Sequence, residues 1–169
     1  MDSIIQNKVS ESGLVTIDLE KFLPTNPIVS FDLAPFLFMG QILKEKDFRE
    51  SMQQQVWLNF SGKAVAVFCS ADAIIPAWAY MLVASNLSGI ASEMYMGTIS
   101  DMEKHLTIKS ISSLHVADFE DRRVVVKGCG DRQIGEYAYM EITRILRPVV
   151  KTLMYGEPCS TVPVYKRKP

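Results

Sequence analysis

Two short runs constrain the fold more than anything else in this chain: Ala64–Phe68 (Ala-Val-Ala-Val-Phe) and Arg123–Lys127 (Arg-Val-Val-Val-Lys). Their apolar residues are continuous rather than alternating, as in strands buried on both faces, and such strands belong to parallel sheets covered by helices. Helical patterns follow both runs, one from Pro76 to about Leu87 and one from Glu136 to Tyr155. Pro148 should kink or split the second helix, and Gly156 is a natural stop. Between the two runs lie a weaker strand, Glu93–Met96, and a helix, Asp101–Lys109, with Ser100 as N-cap and Glu103 completing a capping box.

Alternation of strand and helix is the mark of crossover units on a parallel sheet. The expectation is an α/β fold, three-layered, with a mostly parallel sheet and crossover helices. Toward the N-terminus, Leu14–Asp18 and Ile28–Asp32 read as strands separated by Pro24, Asn26 and Pro27, and Lys44–Gln54 as a polar helix with Phe48 and Met52 on one face. These two strands are expected as antiparallel edges. Residues 1–61 would then be edge elements and residues 62–165 a βαβαβα core, in one domain of 169 residues without an internal repeat.

Eighteen Lys and Arg against nineteen Asp and Glu exclude a strongly basic nucleic-acid binder. The longest apolar stretch, Ala73–Ala84, is well short of the ~20 residues that cross a bilayer. Met1–Ser10 shows no basic patch followed by an apolar run, so the expectation is a cytoplasmic protein with no membrane and no nucleic-acid partner. The helix after Pro76 carries Trp78, Tyr80, Met81, Leu82 and Val83 and is apolar nearly all round, which points to full burial or to a homodimer contact.

The three cysteines carry the chemistry. Cys69 ends the first buried strand, Cys129 follows the second, and Cys159 lies in the loop Gly156–Pro163. Ligands in open α/β sheets bind outside the carboxyl ends of strands. If the strands at 64–68 and 123–127 are neighbours, their ends are about 4.8 Å apart and the thiols share a crevice. Three converging thiolates suit zinc or an iron–sulfur cluster. A fourth ligand would be Asp72, Glu157, Asp131 or His115, or water. Two other readings stay open: Cys129 as a reactive thiol activated by the following helix N-terminus, in an enzyme or sulfur carrier, and all three cysteines as core residues of a structural protein. Asp72 reads as a turn residue or a ligand-facing carboxylate, because Pro76 pushes the helix N-cap to Ala73 or later. No nucleophile elbow or glycine-rich phosphate loop is present. His105 is expected on a solvated helix face and His115 in a loop or strand. Arg144, Arg147 and Lys151 should form one helix face, and Lys166-Arg167-Lys168 a frayed end.

The strings Cys69-Ser-Ala-Asp-Ala-Ile-Ile-Pro-Ala-Trp-Ala-Tyr80, Val126-Lys-Gly-Cys129 and Gly156-Glu-Pro-Cys-Ser-Thr-Val-Pro163 resemble a bacterial family, domain of unknown function 2480. Ile17-Asp-Leu-Glu20 and Leu43-Lys-Glu-Lys-Asp-Phe-Arg49 are similar to it too, so the resemblance spans nearly the whole chain. The family has no assigned activity, so no residue role is carried over. Its members are often encoded beside genes for iron–sulfur cluster assembly, which implies that setting and assembly proteins as partners. Val-Lys-Gly-Cys129 is also similar to the sulfur-accepting loop of partners of cysteine desulfurases.

Overall fold

The computed structural model describes residues 13–127, 130–157 and 159–168. In chain order its elements are β1 (Leu14–Ile17), β2 (Ile28–Asp32), α1 (Glu45–Gln54), β3 (Ala64–Phe68), α2 (Ala77–Leu87), β4 (Glu93–Met96), α3 (Ile99–Ser112), β5 (Arg123–Val126), α4 (Glu136–Leu146), β6 (Thr152–Glu157) and β7 (Ser160–Lys166). Short 3-10 turns occupy Leu19–Phe22, Ala34–Phe36, Trp57–Phe60 and Val116–Phe119. The α/β reading holds.

The chain forms two compact units. One is split: the segment ending at Leu23 joins the segment starting at Leu106. The other, Pro24–His105, is inserted between those halves. Each unit has its own sheet, β1-β5-β6-β7 in the split unit and β2-β3-β4 in the inserted one. All pairings are parallel except β6–β7.

The two buried runs are strands as expected. Ala64, Val65, Ala66 and Val67 are all buried, as are Val124, Val125 and Val126. They are not neighbours, however: β3 is the centre of one sheet, and β5 lies between β1 and β6 in the other. The expectation of a single 62–165 core is therefore corrected. A buried apolar strand accepts any parallel partner, so its composition does not say which one it takes.

The N-terminal strands are corrected as well. They are parallel, with Ile17 opposite Val126 and Phe31 opposite Val67. The antiparallel edge is C-terminal, where β7 folds back on β6. Pro163 is at home on that edge, which needs no N–H on its open side. The helix expected from Glu136 to Tyr155 ends at Leu146, ahead of Pro148, and Thr152–Glu157 enters the sheet as β6. Lys151 accordingly leaves the helical stripe with Arg144 and Arg147. Arg167, expected to fray, pairs with Asp121 and donates to the Val149 carbonyl at 2.7 Å.

The capping box of α3 sits two residues earlier than expected. Thr98 Oγ1 accepts from the Asp101 N–H at 3.2 Å, and Asp101 Oδ2 accepts from the Thr98 N–H at 2.9 Å. In the inserted unit, α2 turns Ala79, Val83 and Leu87 to the core and leaves Met81 70% exposed, so its burial is one-sided. The buried layer there includes Phe31, Leu33, Phe48 and Met52; in the split unit it includes Ile17, Leu19, Ile111 and Ile142.

The two units repeat one another, against the expectation of no internal repeat. Both run strand, 3-10 turn, helix, 3-10 turn, central strand, helix, strand, all parallel. From Trp57 onward the elements of the inserted unit recur 59 residues later (116 − 57): Trp57 answers to Val116, Ala64 to Arg123, Ala77 to Glu136 and Glu93 to Thr152. Phe60, Ala79, Tyr80 and Leu87 meet Phe119, Ala138, Tyr139 and Leu146. Gly62 (φ 69°) and Asp121 (φ 55°) hold the same left-handed position. In the first strands Ile28 answers to Leu14, fourteen residues earlier (28 − 14), since they oppose the equivalent residues Ala64 and Arg123.

Candidate functional site

Parallel strands point all their carboxyl ends one way, so each unit has one end where loops and helix N-termini gather. In the split unit that end is built by Asp18 and Glu20 after β1, Lys127 after β5, the segment Gly130–Glu136 leading into α4, and Glu157 closing β6. The Lys127 N–H donates to the Ile17 carbonyl at 2.8 Å, carrying the β1–β5 ladder one residue further. Its Nζ lies 3.5 Å from Asp18 Oδ2. The Asp18 charge, then its hydrogen bond, raises the Lys127 pKa against the opposing effect of burial; Glu157 and Glu20 add to the rise. One ammonium thus faces three carboxylates.

Glu20 fixes the loop. Its Oε1 accepts the Arg132 N–H at 2.7 Å, and its own N–H donates to Asp18 Oδ1 at 3.1 Å. A Cβ at Gly130 would overlap this carboxylate, which would have to swing aside and give up the bond. Beside the loop is a cavity of about 640 Å³, lined by Asp131, Arg132, Gln133, Glu136, Tyr139 and Tyr155 among others. The Tyr139 and Tyr155 rings meet edge to face with centroids 5.6 Å apart, and the Tyr139 hydroxyl donates to the Lys127 carbonyl at 3.5 Å.

The expected ligands divide between the units. Cys69 is half-buried after β3 in the inserted unit, its Sγ donating to the Ala71 carbonyl at 3.6 Å, and Asp72 is exposed in the following turn. The N-cap of α2 is Pro76, so Asp72 does not cap it. Burial, then the Cys69 charge, raises the Tyr80 pKa. Cys159 is exposed in the β6–β7 turn of the split unit, two residues after Glu157. Cys129 lies outside the described residues. Since β3 and β5 belong to different sheets, the ladder meant to join Cys69 to Cys129 does not exist. Cys69 also answers to Gly128 in the repeat, while Cys129 answers to Ser70. No group of three or more metal-ligating side chains occurs among the described residues.

Glu157 stands apart in the split unit. Its Oε1 is buried and has no hydrogen-bond partner among the described residues. In the inserted unit the equivalent end is closed by its own bonds: Asp32 accepts from the Ser70 hydroxyl, the Ser70 N–H and the Ala34 N–H. The two histidines are elsewhere. His105 stacks on Tyr95 with centroids 4.4 Å apart rather than standing free in solvent, and His115 is exposed 3.3 Å from Asp118.

The residue reading overlooked Asp18, Glu20, Lys127, Tyr139 and Tyr155. A signal for the first was present: Ile17-Asp18-Leu19 and Phe31-Asp32-Leu33 share an apolar residue followed by Asp-Leu, repeated at the ends of equivalent strands.

Fold and site define a two-unit parallel α/β protein with a carboxylate- and cysteine-bearing strand end. Over residues 3–167 the chain matches the family described as protein of unknown function DUF2480, and it belongs to that family. No curated protein and no solved structure matches it. Among the described residues, no helix is long and apolar enough to cross a membrane.

Proposed function

We propose that this chain is a metal-binding accessory protein of iron–sulfur cluster assembly. Its site would be at the carboxyl end of the split unit's sheet and draw on Cys129, Glu157 and Cys159. The observation behind this reading is the buried Oε1 of Glu157, which has no hydrogen-bond partner among the described residues. It sits two residues from Cys159, beside the strand that leads to Cys129. A buried carboxylate oxygen without a donor is costly, and a cation relieves that cost. Two thiolates and a carboxylate suit zinc with an open fourth position, or the protein side of a cluster. Cys69 and Asp72, in the inserted unit, are not needed. A reducing, cytoplasmic setting, which keeps the thiols free, fits the reading.

The test is metal content and an absorption spectrum on anaerobically purified protein, beside Cys129→Ser, Glu157→Gln and Cys159→Ser. Near-stoichiometric zinc or iron in the parent, lost in the variants, is expected. A metal-free parent, or variants that all retain the metal, overturns the proposal.

One observation favours a second reading, that of a thiol enzyme or sulfur carrier using Cys129. The loop holding this residue joins the carboxyl end of β5 to α4 and borders the 640 Å³ cavity, where a second reactant would fit. It is distinguished by alkylation of the metal-free protein: one fast-reacting cysteine, lost in Cys129→Ser, supports it. A homodimer through the open face of α2, where Met81 is exposed, belongs to the same proposal and is tested by sedimentation against Met81→Lys.

A further inference from the structure

At the amino end of the split unit's sheet, opposite the candidate centre, the register sets three residues side by side. Arg123 opens β5 and pairs with Thr152 at the start of β6, and Thr152 pairs with Lys166 at the end of β7. Neighbouring strands are about 4.8 Å apart, so the two cationic side chains stand about 10 Å apart with a hydroxyl between them. Residues in register point to the same face of a sheet. Lys151 precedes Thr152 and joins them around a groove of about 400 Å³, whose floor is Met154 and Pro163, with Tyr165 at its edge.

Two independent observations say that this groove is built for a ligand. First, Thr152 Oγ1 is buried and has no hydrogen-bond partner among the described residues. Buried hydroxyls are nearly always bonded, so one left open in a groove marks where a polar group docks. Second, Arg123, Lys151 and Lys166 are exposed and make no ion pair among the described residues. Nearby cations are engaged: Arg167 pairs with Asp121 and Arg147 lies over the Tyr165 ring.

We infer that this groove binds the phosphoryl group of a small ligand with an apolar body. A phosphoryl oxygen would accept from Thr152 Oγ1, and the remaining oxygens would take charge-assisted bonds from Arg123, Lys166 and Lys151. The apolar body would lie on Met154 and Pro163, which share the face of Thr152. Arginine contributes a fork that grips two oxygens at once, and the lysines contribute point charge.

The test is amide chemical-shift titration of the full, 15N-labelled chain with inorganic phosphate and with phenyl phosphate, against sodium chloride at matched ionic strength. Saturable shifts confined to residues around Arg123, Thr152 and Lys166 are expected, with phenyl phosphate the tighter ligand. Arg123→Gln with Lys166→Gln should weaken binding by at least about tenfold. Thr152→Val should weaken it severalfold, and Thr152→Ser, which keeps the hydroxyl, should restore it. Shifts that chloride reproduces, shifts scattered over other basic residues, or parental affinity in Thr152→Val and the double variant each overturn the inference. If phenyl phosphate is no tighter than phosphate, the apolar body is wrong and the proposal fails in that part.

Discussion

Asp32 takes two hydrogen bonds from Ser70, one from the hydroxyl at 2.6 Å and one from the backbone N–H at 2.9 Å. It thereby ties the end of β2 to the loop after β3 and closes the carboxyl end of the inserted unit. Burial pushes the Asp32 carboxyl up, but the bonds from the Ser70 hydroxyl, the Ala34 N–H and the Ser70 N–H outweigh it and hold the pKa below its ordinary value. A carboxyl lowered on folding stabilises above its unfolded pKa, and that contribution is lost as pH falls through the lowered one. Asp32→Ala should cost about 1–3 kcal/mol at neutral pH and Ser70→Ala less. Urea unfolding at pH 7 and pH 3 checks both, since the difference between parent and Asp32→Ala should shrink in acid.

Gly130 and Glu20 should be coupled. Gly130→Ala places a methyl group where the Glu20 carboxylate sits and must break the bond to the Arg132 N–H. Because the carboxylate is the exposed end of a flexible side chain, the expected cost is that of one hydrogen bond, about 0.5–1 kcal/mol. In a Glu20→Ala background the obstacle is gone, so the same change should cost far less. A double-mutant cycle by chemical denaturation reads this directly, and additive losses would refute the account.

Glu141 on α4 is an acid shifted far down among the described residues. The Arg144 guanidinium, at 2.6 Å, and the Ser112 hydroxyl, also at 2.6 Å, bring its pKa down to about 2. Being depressed on folding, it contributes stability that is complete above about 5 and decays as pH falls toward 2. Ser112→Ala should move the Glu141 midpoint upward in a carboxyl NMR titration and bring acid unfolding to a higher pH. Arg144→Gln should move it further.

The repeat makes a prediction of its own. Ala79 and Ala138 are fully buried at equivalent positions of α2 and α4. A larger side chain at either overpacks the contact between helix and sheet. Ala79→Leu and Ala138→Leu should each cost about 1–3 kcal/mol, with similar magnitudes. Differential scanning calorimetry of both, beside the milder Ala79→Ser and Ala138→Ser, compares them.

The element boundaries were largely legible because each depends on local chemistry. Ala64–Phe68, Glu93–Met96 and Ile28–Asp32 are strands over the spans their residues suggest. The pairing was not, because Val-Val-Val in β5 fits a parallel partner on either side and says nothing of which one arrives. Thr152–Tyr155 was drawn into the preceding helix because nothing in Leu153-Met154 opposes one, and only the ladder to β5 makes it a strand. The repeat hid for a related reason. Its identities are sparse, and its first strands recur at a different interval from the rest.

The candidate site was half legible. Cysteines flag themselves by type, which placed attention on the strand ends, but their convergence rested on a presumed adjacency of β3 and β5. The carboxylates around Lys127 gave no such flag. An Asp or Glu after a strand usually belongs to a turn, and only the fold brings Asp18 to Lys127.

The insertion of one unit into the other also governs the order of assembly. As the chain leaves the ribosome, the inserted sheet is complete once Met96 has emerged, whereas the end of β1, Ile17, waits for its partner Val126, 109 residues further on (126 − 17). A loop that long carries a large closure entropy when unfolded. With the inserted unit already folded, part of that closure entropy is already lost before β1 meets β5. Folding of the inserted unit first would shorten the free chain between β1 and β5, so its stability is expected to influence how fast the carboxylate-lined site forms. Substitutions in β3 or α2, which lie in the other unit, should delay its appearance during synthesis.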